Sequence, residues 1–272
     1  ASVCPEVAIT IAQAVAELGV QMDKVKYGYV ILVDYQRAYN SVIWSIMWKQ
    51  LEASGVSNAA IKVIQDLYTN AHSQLLIGKE IIGEYVEKRG VRQGCPAAPV
   101  MFAWYIEPLI QALKDFLGAD GWSQWYADDL VAITKTRSKA KALLETLDTL
   151  SVKMGLSINC EKTKIIKIGK AEGEEVNVNG RKIKVETGAF KYLGTWVSAS
   201  ECNESLMENW WGEVISWQAE WDPLAPTMRQ WVVLHNWVLL PRLSHRIWFE
   251  ADKKSIAELE YRIWTLMSEK MG

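Results

Sequence analysis

The sequence lacks any run of eighteen or more uninterrupted apolar residues, which argues against a transmembrane helix. It also lacks the basic leader and short apolar segment that are typical of a secretory signal peptide. The first residue is Ala1 rather than methionine, as expected of a processed protein or of a fragment of a longer one. We therefore expect a chain that has no membrane partner.

Cysteine is scarce and widely scattered. The four cysteines are Cys4, Cys95, Cys160 and Cys202, and no two of them form a Cys-x-x-Cys pair. This spacing argues against a disulfide framework and against a zinc site. Free thiols in a reducing compartment are the better interpretation.

An excess of basic residues is also lacking. Lysine and arginine number 30 against 32 acidic residues, which gives a net charge of −2 and a pI near 6.0. Because the neutralisation of phosphates drives nucleic-acid affinity, this balance argues weakly against a nucleic-acid partner. Lysine is nevertheless clustered locally, so the sequence does not exclude a nucleic-acid partner. The clustered residues are Lys162, Lys164, Lys167, Lys170, Lys182 and Lys184.

Hydrophobic residues and tryptophan are abundant. The 272 residues are 50% hydrophobic, which is typical of a globular chain with one or two domains. Seven of the fourteen tryptophans lie between Trp210 and Trp248. A tryptophan at helical spacing is more often core or interface than a platform for bases, although stacking is the alternative. This preference applies to Trp210, Trp217, Trp221 and Trp231.

Hydrophobic periodicity predicts a mixture of helices and strands. Helices are predicted at 5–18, 41–52, 58–70, 98–117, 138–154 and from about 206 to 272, with a strand at 29–34, a hairpin at 74–89 and another strand at 190–197. The pair Asn179-Gly180 between VNV and KIKV predicts a two-residue hairpin turn. Because the elements do not alternate regularly as βαβ units, we expect an α+β fold with a mostly antiparallel sheet.

Three carboxylates stand next to predicted strands. Asp34 ends one strand, and Asp128 and Asp129 are adjacent in the apolar run YADDLV at 126–131. If these acids converge, they cannot all stay ionised without a cation among them. Mg²⁺ prefers such oxygen ligands, and two such ions form a clamp for displacement at phosphorus. Taken alone, an Asp-Asp pair in a hairpin is more often a solvated turn.

Several ordered stretches resemble the motifs of reverse transcriptases, most closely those of non-LTR retrotransposons of the LINE type. They are ILVDYQRAYNSV (31–42), RGVRQGCPAAPVMFAWYIEPLI (89–110), YADD (126–129), GLSINCEKTKI (155–165), FKYLG (190–194) and LLPRLSHRIWF (239–249). Their order along the chain makes the resemblance far more specific than YADD alone. Asn40 departs from the family pattern, which has an acid there, and Ala97 and Ala98 replace the usual Leu-Ser.

The resemblance implies a polymerase right-hand palm, which is a ferredoxin-like antiparallel sheet with helices, followed by a helical thumb-like region. It divides the chain into a residual fingers segment (1–28), a palm (29–200) with a fingers-like insertion at about 50–90, and a tryptophan-rich thumb-like region (201–272). Because few basic residues precede Asp34, the fingers are expected to be largely missing.

The resemblance also implies a role for individual residues. Asp34 and Asp128 would bind two Mg²⁺ ions, or Mn²⁺ in their place, with the help of Asp129 as a third metal-site acid, and Lys162 would protonate the leaving pyrophosphate. These four residues are the expected catalytic set. The expected nucleotide-binding residues are Tyr39, Arg92, Gln93 and Gly94, and the expected primer grip is Tyr192, Leu193 and Gly194. The Tyr39 ring would exclude a 2′-hydroxyl and so implies a preference for deoxynucleotides.

The implied function is RNA-directed DNA polymerase, with nucleotidyl transfer from a dNTP to a primer 3′-hydroxyl. The implied partners are an RNA template, a DNA primer and dNTP, together with a protein partner at the tryptophan-rich C-terminal region. The alternative is a polymerase-derived structural module that binds RNA or protein within a larger assembly and has little or no activity. The low basic charge favours this alternative, and the three acids favour the enzyme.

Overall fold

The computed structural model of the chain describes residues 5–25, 27–69, 72–118, 121–198, 203–224, 226–239 and 253–271. Apart from Leu239, the stretch 239–249 that resembles the start of a thumb lies outside these residues. Within the described part of the chain, no helix has both the length and the apolar character that a membrane crossing requires.

Helices and strands are interspersed along the described residues. The helices are α1 (Pro5–Asp23), α2 (Ala38–Ser41), α3 (Trp44–Ala53), α4 (Asn58–Thr69), α5 (Ala98–Leu117), α6 (Arg137–Lys153), α7 (Asn203–Trp221), α8 (Met228–Leu234) and α9 (Lys253–Met271), with a 3-10 turn at Asp222–Leu224 and a π-helical segment at His235–Leu239. The strands are β1 (Tyr27–Val33), β2 (His72–Ile77), β3 (Glu80–Val86), β4 (Trp122–Tyr126), β5 (Asp129–Thr134), β6 (Lys164–Gly169), β7 (Glu175–Val178), β8 (Arg181–Glu186), β9 (Ala189–Tyr192) and β10 (Thr195–Ser198). This mixture confirms the predicted α+β class.

Six of the strands form one sheet in the order β4-β5-β1-β6-β8-β7, and β2–β3 and β9–β10 are separate two-stranded sheets. The pairs β2–β3, β4–β5, β7–β8 and β9–β10 are antiparallel hairpins. The β7–β8 turn is made by Asn179 and Gly180, which have φ values of 50° and 82°. Positive φ at both turn positions is what a tight hairpin requires, and this confirms the turn predicted from Asn-Gly.

The chain divides into two compact units, which are described separately. The first unit contains residues 31–165 and 173–184, and the second contains residues 1–30, 166–172 and 185–272.

The core of the first unit is built around α5. Its buried residues recur at intervals of three and four, at Ala98, Met101, Phe102, Tyr105, Ile106, Leu109, Leu113 and Leu117. This face packs against α3, α6 and β4. Pro99 lies in the first turn of α5, where its missing N–H removes no helical hydrogen bond, and Gly118 follows the last turn with a φ of 57°. The predicted bounds of this helix, 98–117, are confirmed.

The predicted helix at 41–52 is wrong in one respect, because it is split into α2 and α3. Val42 and Ile43 are extended, with ψ values of 124° and 114°. The carbonyl of Val42 accepts a hydrogen bond of 2.7 Å from the N–H of Gly90, which lies far away in the sequence. A tertiary contact therefore replaces a helical hydrogen bond at this position.

The core of the second unit is rich in tryptophan. Its buried cluster consists of Trp210, Val214, Leu239, Leu259 and Ile263. Half-buried side chains pack against it, namely Ala189, Trp196, Trp211, Trp217, Trp221 and Leu266. Of the four tryptophans expected in the core, Trp210 and Trp231 are buried and the other two pack against the cluster, which confirms the preference for core over base stacking.

Replacing Trp210 with alanine should lower the free energy of unfolding by about 3–5 kcal/mol, because the change removes a fully buried ring and leaves a cavity. The matched control is Trp264→Ala, since the Trp264 side chain is 66% exposed. Urea denaturation of both variants measures the difference. Equal losses of stability in the two variants would contradict the assignment of Trp210 to the core.

Candidate active site

Asp34 directly follows the last residue of β1, and the backbone around it is hydrogen-bonded to residues 157–163. The Asn159 N–H donates to the Asp34 carbonyl at 2.8 Å, and the Gln36 N–H donates to the Ser157 carbonyl at 2.8 Å. The Asp34 N–H donates to the Thr163 hydroxyl at 3.4 Å. These three contacts fix the backbone from which the Asp34 carboxylate extends at the end of the strand.

Asp128 lies in the turn of the β4–β5 hairpin. Tyr126 and Asp129 are paired across the two strands, so Ala127 and Asp128 form a two-residue turn. Ala127 has a φ of 53°, a left-handed conformation that costs a residue with a Cβ about 1–2 kcal/mol. The hairpin thus holds a strained residue directly before Asp128, and such strain is concentrated at functional sites.

The two acids line the same cavity, which has a volume of about 710 Å³. Five charged residues line it: Asp34, Asp128, Arg37, Arg89 and Lys162. Among the residues that the structure describes, neither carboxylate forms an ion pair with any of the three cations. Both carboxylates are therefore available to a cation or a substrate that enters the cavity.

The structure brings five of the predicted site residues together around this cavity: Asp34, Tyr39, Gln93, Asp128 and Lys162. Asp129 does not line it and is exposed at the start of β5. Gly94 is also exposed and lies outside the lining, with a φ of 88° that only glycine adopts freely. Arg92 is likewise absent from the lining.

Arg92 is engaged elsewhere in the first unit. Its guanidinium donates to the Leu67 carbonyl at 2.8 Å and lies over the ring of Tyr68, 5.5 Å from the centroid. Tyr68 is buried and makes edge contacts with the rings of Trp44 and Trp48. Arg92 thus ties the end of α4 to the loop before α5.

The predicted primer-grip residues belong to the second unit. Tyr192 ends β9 and is buried, and Leu193 and Gly194 form the turn to β10 with φ values of 47° and 82°. Their role stays a prediction.

The ring of Tyr39 is fixed beside the acids. It stacks on Phe102 with the centroids 4.6 Å apart and an angle of 11° between the ring planes. Burial raises the pKa of the Tyr39 phenol, and the charge of Asp128 and the phenol of Tyr126 raise it further. The half-buried ring is therefore rigid, and its hydroxyl lies within the electrostatic reach of Asp128.

The three acids influence one another. Partial desolvation raises the pKa of Asp129 to about 6, and the negative charges of Asp128 and Asp34 add to the effect. The side chain is nevertheless exposed, so solvent screens part of this repulsion. Desolvation is the largest cause of the shift, and the smaller contribution from the two neighbouring charges is the part that a cation would relieve.

The residues fit a divalent ion only in part. Within the described chain, no three His, Cys, Asp or Glu side chains come close enough together to hold a metal ion. Asp34 and Asp128 do line one cavity, and Mg²⁺ typically binds one or two carboxylates and completes its shell with water and substrate phosphates. The donor set therefore suits an ion that arrives with a phosphorylated substrate better than a resident ion.

Sequence reasoning missed nine of the fourteen residues that line the cavity, among them Arg37, Arg89, Ser157 and Asn159. Arg37 lies between Asp34 and Tyr39 in the first motif, so its position could have indicated it. Ser157 and Asn159 lie in the fourth motif, where only Lys162 was singled out. No local signal distinguishes Arg89 from Arg92, because both flank the same short segment.

Replacing Asp129 with asparagine should stabilise the chain above about pH 6. The carboxyl has a pKa of about 6 in the folded chain, against an ordinary 3.8, so the native state holds a proton that the unfolded state has lost in this interval. The stability of the parent chain consequently falls as the pH rises between these values. Since the side chain is exposed, the gain in the variant should stay below about 1 kcal/mol.

Urea denaturation at about pH 4 and about pH 8 measures this difference. The variant should gain stability relative to the parent only at the higher pH, and high salt should shrink the gain. A variant that is less stable than the parent at the higher pH would refute the proposed repulsion.

The fold and the sequence match known proteins. The family model described as reverse transcriptase (RNA-dependent DNA polymerase) matches residues 8–197. The chain is 27% identical over 240 residues to the Pol polyprotein of the type-2 retrotransposable element R2DM of Drosophila melanogaster, and covers 22% of that protein. It is 25% identical over 234 residues to the Pol polyprotein of the type-1 element R2 of Popillia japonica, and covers 38% of it. These alignments include 80% and 79% of the present chain.

Two solved structures of telomerase from Candida tropicalis share the fold. One is in complex with a fragment of telomeric RNA, and it superposes with a TM-score of 0.53 at 15% identity over 69% of this chain and 32% of that one. The other is the apo form, with a TM-score of 0.52 at 14% identity over 73% and 36% of the two chains. At this identity the likeness concerns the fold alone, and it confirms a polymerase palm with accompanying helices. The family match, which covers most of the chain, and the retrotransposon relatives show that the protein belongs to the reverse transcriptase family, as a domain of the non-LTR retrotransposon type.

Proposed function

We propose that this chain carries the nucleotidyl-transfer centre of an RNA-directed DNA polymerase. The observation that supports it most is the presence of Asp34 and Asp128, unpaired among the described residues, in one cavity with Tyr39, Gln93 and Lys162. The chain spans 22% and 38% of the two retrotransposon proteins it matches. The activity, substrates and partners of the whole protein are therefore proposals as well.

The proposed substrates are a dNTP and the 3′-hydroxyl of a DNA primer paired to an RNA template. Asp34 and Asp128 would hold Mg²⁺, or Mn²⁺ in its place, which when bound supplies charge neutralisation at the phosphates. Asp129 is proposed to assist by adding negative charge next to the cavity. The two carboxylates orient the reacting groups because the backbone at Asp34 and the turn at Asp128 are both fixed.

Lys162 is proposed to donate a proton to the pyrophosphate that leaves. It is exposed, lines the cavity, and has no hydrogen bond or ion pair from its ammonium group to any described residue. Its backbone N–H donates to the Asn159 carbonyl at 3.2 Å, which places it in the same short segment that pairs with Asp34. An unengaged ammonium can both attract the phosphates and release a proton to them.

Tyr39 is proposed to select the sugar. Its ring is stacked on Phe102, so it cannot easily move aside for a 2′-hydroxyl. Gln93 and Gly94 are proposed to contact the nucleotide, with Gln93 in the cavity wall and Gly94 in the adjoining loop.

The alternative function is a polymerase-derived module that binds RNA or protein without synthesis. It is favoured by the net charge of −2 and by the lack of a three-ligand metal cluster among the described residues. The protein partner expected at the tryptophan-rich region also stays a prediction. Tyr261 and Trp264 on α9 are 72% and 66% exposed and supply an apolar surface for it.

Replacing Asp128 with asparagine should lower primer extension on an RNA template on the order of 100- to 1,000-fold, because the shape is kept while the charge at the reacting centre is lost. Asp66→Asn is the matched control, since Asp66 is exposed on α4 and lines neither cavity described here. Equal synthesis by the parent and the Asp128 variant would contradict the enzyme and favour the module.

Binding of the ion has a readout that does not depend on synthesis. A ligand that binds only the folded state raises its thermal stability, so Mg²⁺ should raise the unfolding midpoint of the parent more than that of Asp34→Asn. An identical rise in both would argue against Asp34 as a metal ligand.

Replacing Tyr39 with valine should raise the use of ribonucleotides relative to deoxynucleotides by about 10- to 100-fold, because space for a 2′-hydroxyl is opened. Tyr39→Phe keeps the ring and its stack on Phe102, so it should retain the selectivity of the parent. The ratio of kcat/KM for the two nucleotides measures the effect. Loss of selectivity in the phenylalanine variant would show that the hydroxyl, rather than the ring, selects the sugar.

A further inference from the structure

Arg89 lies in the wall between two cavities. It lines the cavity that contains the acids, and it also lines a second cavity of about 500 Å³. Gln93 is the other residue that lines both. The Arg89 side chain is exposed, and its guanidinium has no hydrogen-bond or ion-pair partner among the residues that the structure describes. A charged group in a cavity wall without a partner is available to a ligand.

Arg92, three residues further on, is in the opposite situation. It lines only the second cavity of the two, and its guanidinium is engaged by the Leu67 carbonyl and the Tyr68 ring. Binding of a phosphate by Arg92 would have to disrupt these contacts. The two arginines therefore have separate tasks, although they belong to one motif.

The backbone between Arg89 and Arg92 is hydrogen-bonded to the first motif (31–42). The Gly90 N–H donates to the Val42 carbonyl at 2.7 Å, and the Val91 N–H donates to the Tyr39 carbonyl at 2.8 Å. The Trp44 indole N–H donates to the Gly90 carbonyl at 2.7 Å. Three hydrogen bonds thus fix the segment that carries Arg89.

Gly90 is required for this close approach. Its φ is 93°, and a Cβ added there would lie 3.0 Å from the Asn40 Cα and 3.2 Å from the Tyr39 carbonyl oxygen. No other residue fits without displacing the backbone that leads to Tyr39. These hydrogen bonds consequently fix the position of Arg89 relative to Tyr39 and to Asp34, which belongs to the same motif as Tyr39.

The chemistry of the cavity favours a polyphosphate. Arginine presents a planar set of donors that matches phosphate oxygens in pairs, and its charge does not titrate. Arg37 and Lys162 also line the cavity, so three cations face two carboxylates there. Of these three cations, Arg89 is the one that lies in the same short segment as Gln93 and the hydrogen-bonded residues Gly90 and Val91.

We propose that Arg89 binds the phosphates of the incoming nucleotide and that Gly90 and Trp44 position it, whereas Arg92 is a structural residue. This assignment rests on the proposed function for the identity of the substrate, a nucleoside triphosphate. The phosphate site itself can be tested without synthesis.

The test is calorimetric titration of the full chain with inorganic tripolyphosphate and with dATP in Mg²⁺ buffer. Arg89→Gln should raise the Kd of both probes by about tenfold and by similar factors, because it removes a charged contact to phosphate and none to the base. Lys88→Gln is the matched control, since it removes one exposed positive charge from the same segment outside both cavity linings and should change either Kd less than twofold.

Arg92→Gln should lower the thermal unfolding midpoint by about 2–4 °C, with a smaller effect on the Kd of tripolyphosphate than Arg89→Gln has. A larger rise of that Kd in the Arg92 variant than in the Arg89 variant would overturn the proposal. A parent chain that does not bind tripolyphosphate would overturn it as well.

The positioning role has its own variant. Trp44→Phe keeps the aromatic ring against Tyr68 but lacks the N–H that holds the Gly90 carbonyl. It should raise the Kd of tripolyphosphate, and in primer extension it should raise the KM for dNTP more than it lowers kcat. A loss of stability with an unchanged Kd would show that Trp44 is only a packing residue.

Two results distinguish a failure of the Arg89 phosphate site from a failure of the proposed polymerase function. A parent chain that extends no primer, but binds tripolyphosphate in a manner that depends on Arg89, would refute the polymerase and keep the phosphate site. A parent that extends a primer, with the same KM for dNTP in the Arg89 variant, would refute the role of Arg89 and keep the polymerase.

Discussion

The hydrogen bonds between residues 34–36 and 157–163 are the constraint on which the candidate site depends. They fix the backbone at the end of β1, where the chain would otherwise be a free loop, and they bring Asn159 and Lys162 beside Asp34. The pairing joins segments more than a hundred residues apart in the sequence. The geometry of the site is therefore a property of the fold rather than of any single motif.

Near this pairing, the first unit contains charged side chains of both signs that do not pair with one another. Asp34 and Asp128 face three cations across one cavity, and among the described residues none of these five groups is in an ion pair with another. The pKa of Asp129 is raised mainly by desolvation, and the charges of Asp128 and Asp34 raise it further. A structural module would gain stability by pairing or removing such charges, whereas a site that binds a metal with a polyphosphate needs both signs at once. The net charge of −2 concealed this local arrangement.

The sequence predicted the features that are determined locally. The apolar run before Asp34, the spacing along α5 and the pair Asn179-Gly180 each correspond to an element in the structure, because strand burial, helical periodicity and positive φ are encoded within a few residues. The split at Val42 could not be predicted, since it depends on a hydrogen bond from Gly90. The engagement of Arg92 could not be predicted either, because it depends on the Leu67 carbonyl and the Tyr68 ring on α4.

The most direct measurement is the anomalous scattering of Mn²⁺ in a crystal of the chain that contains a non-hydrolysable dNTP analogue. We expect a manganese peak within direct coordination distance of the carboxylates of both Asp34 and Asp128, with the phosphates of the analogue completing the shell. Manganese bound elsewhere, or a guanidinium of Arg37 or Arg89 seated between the two carboxylates in its place, would contradict it.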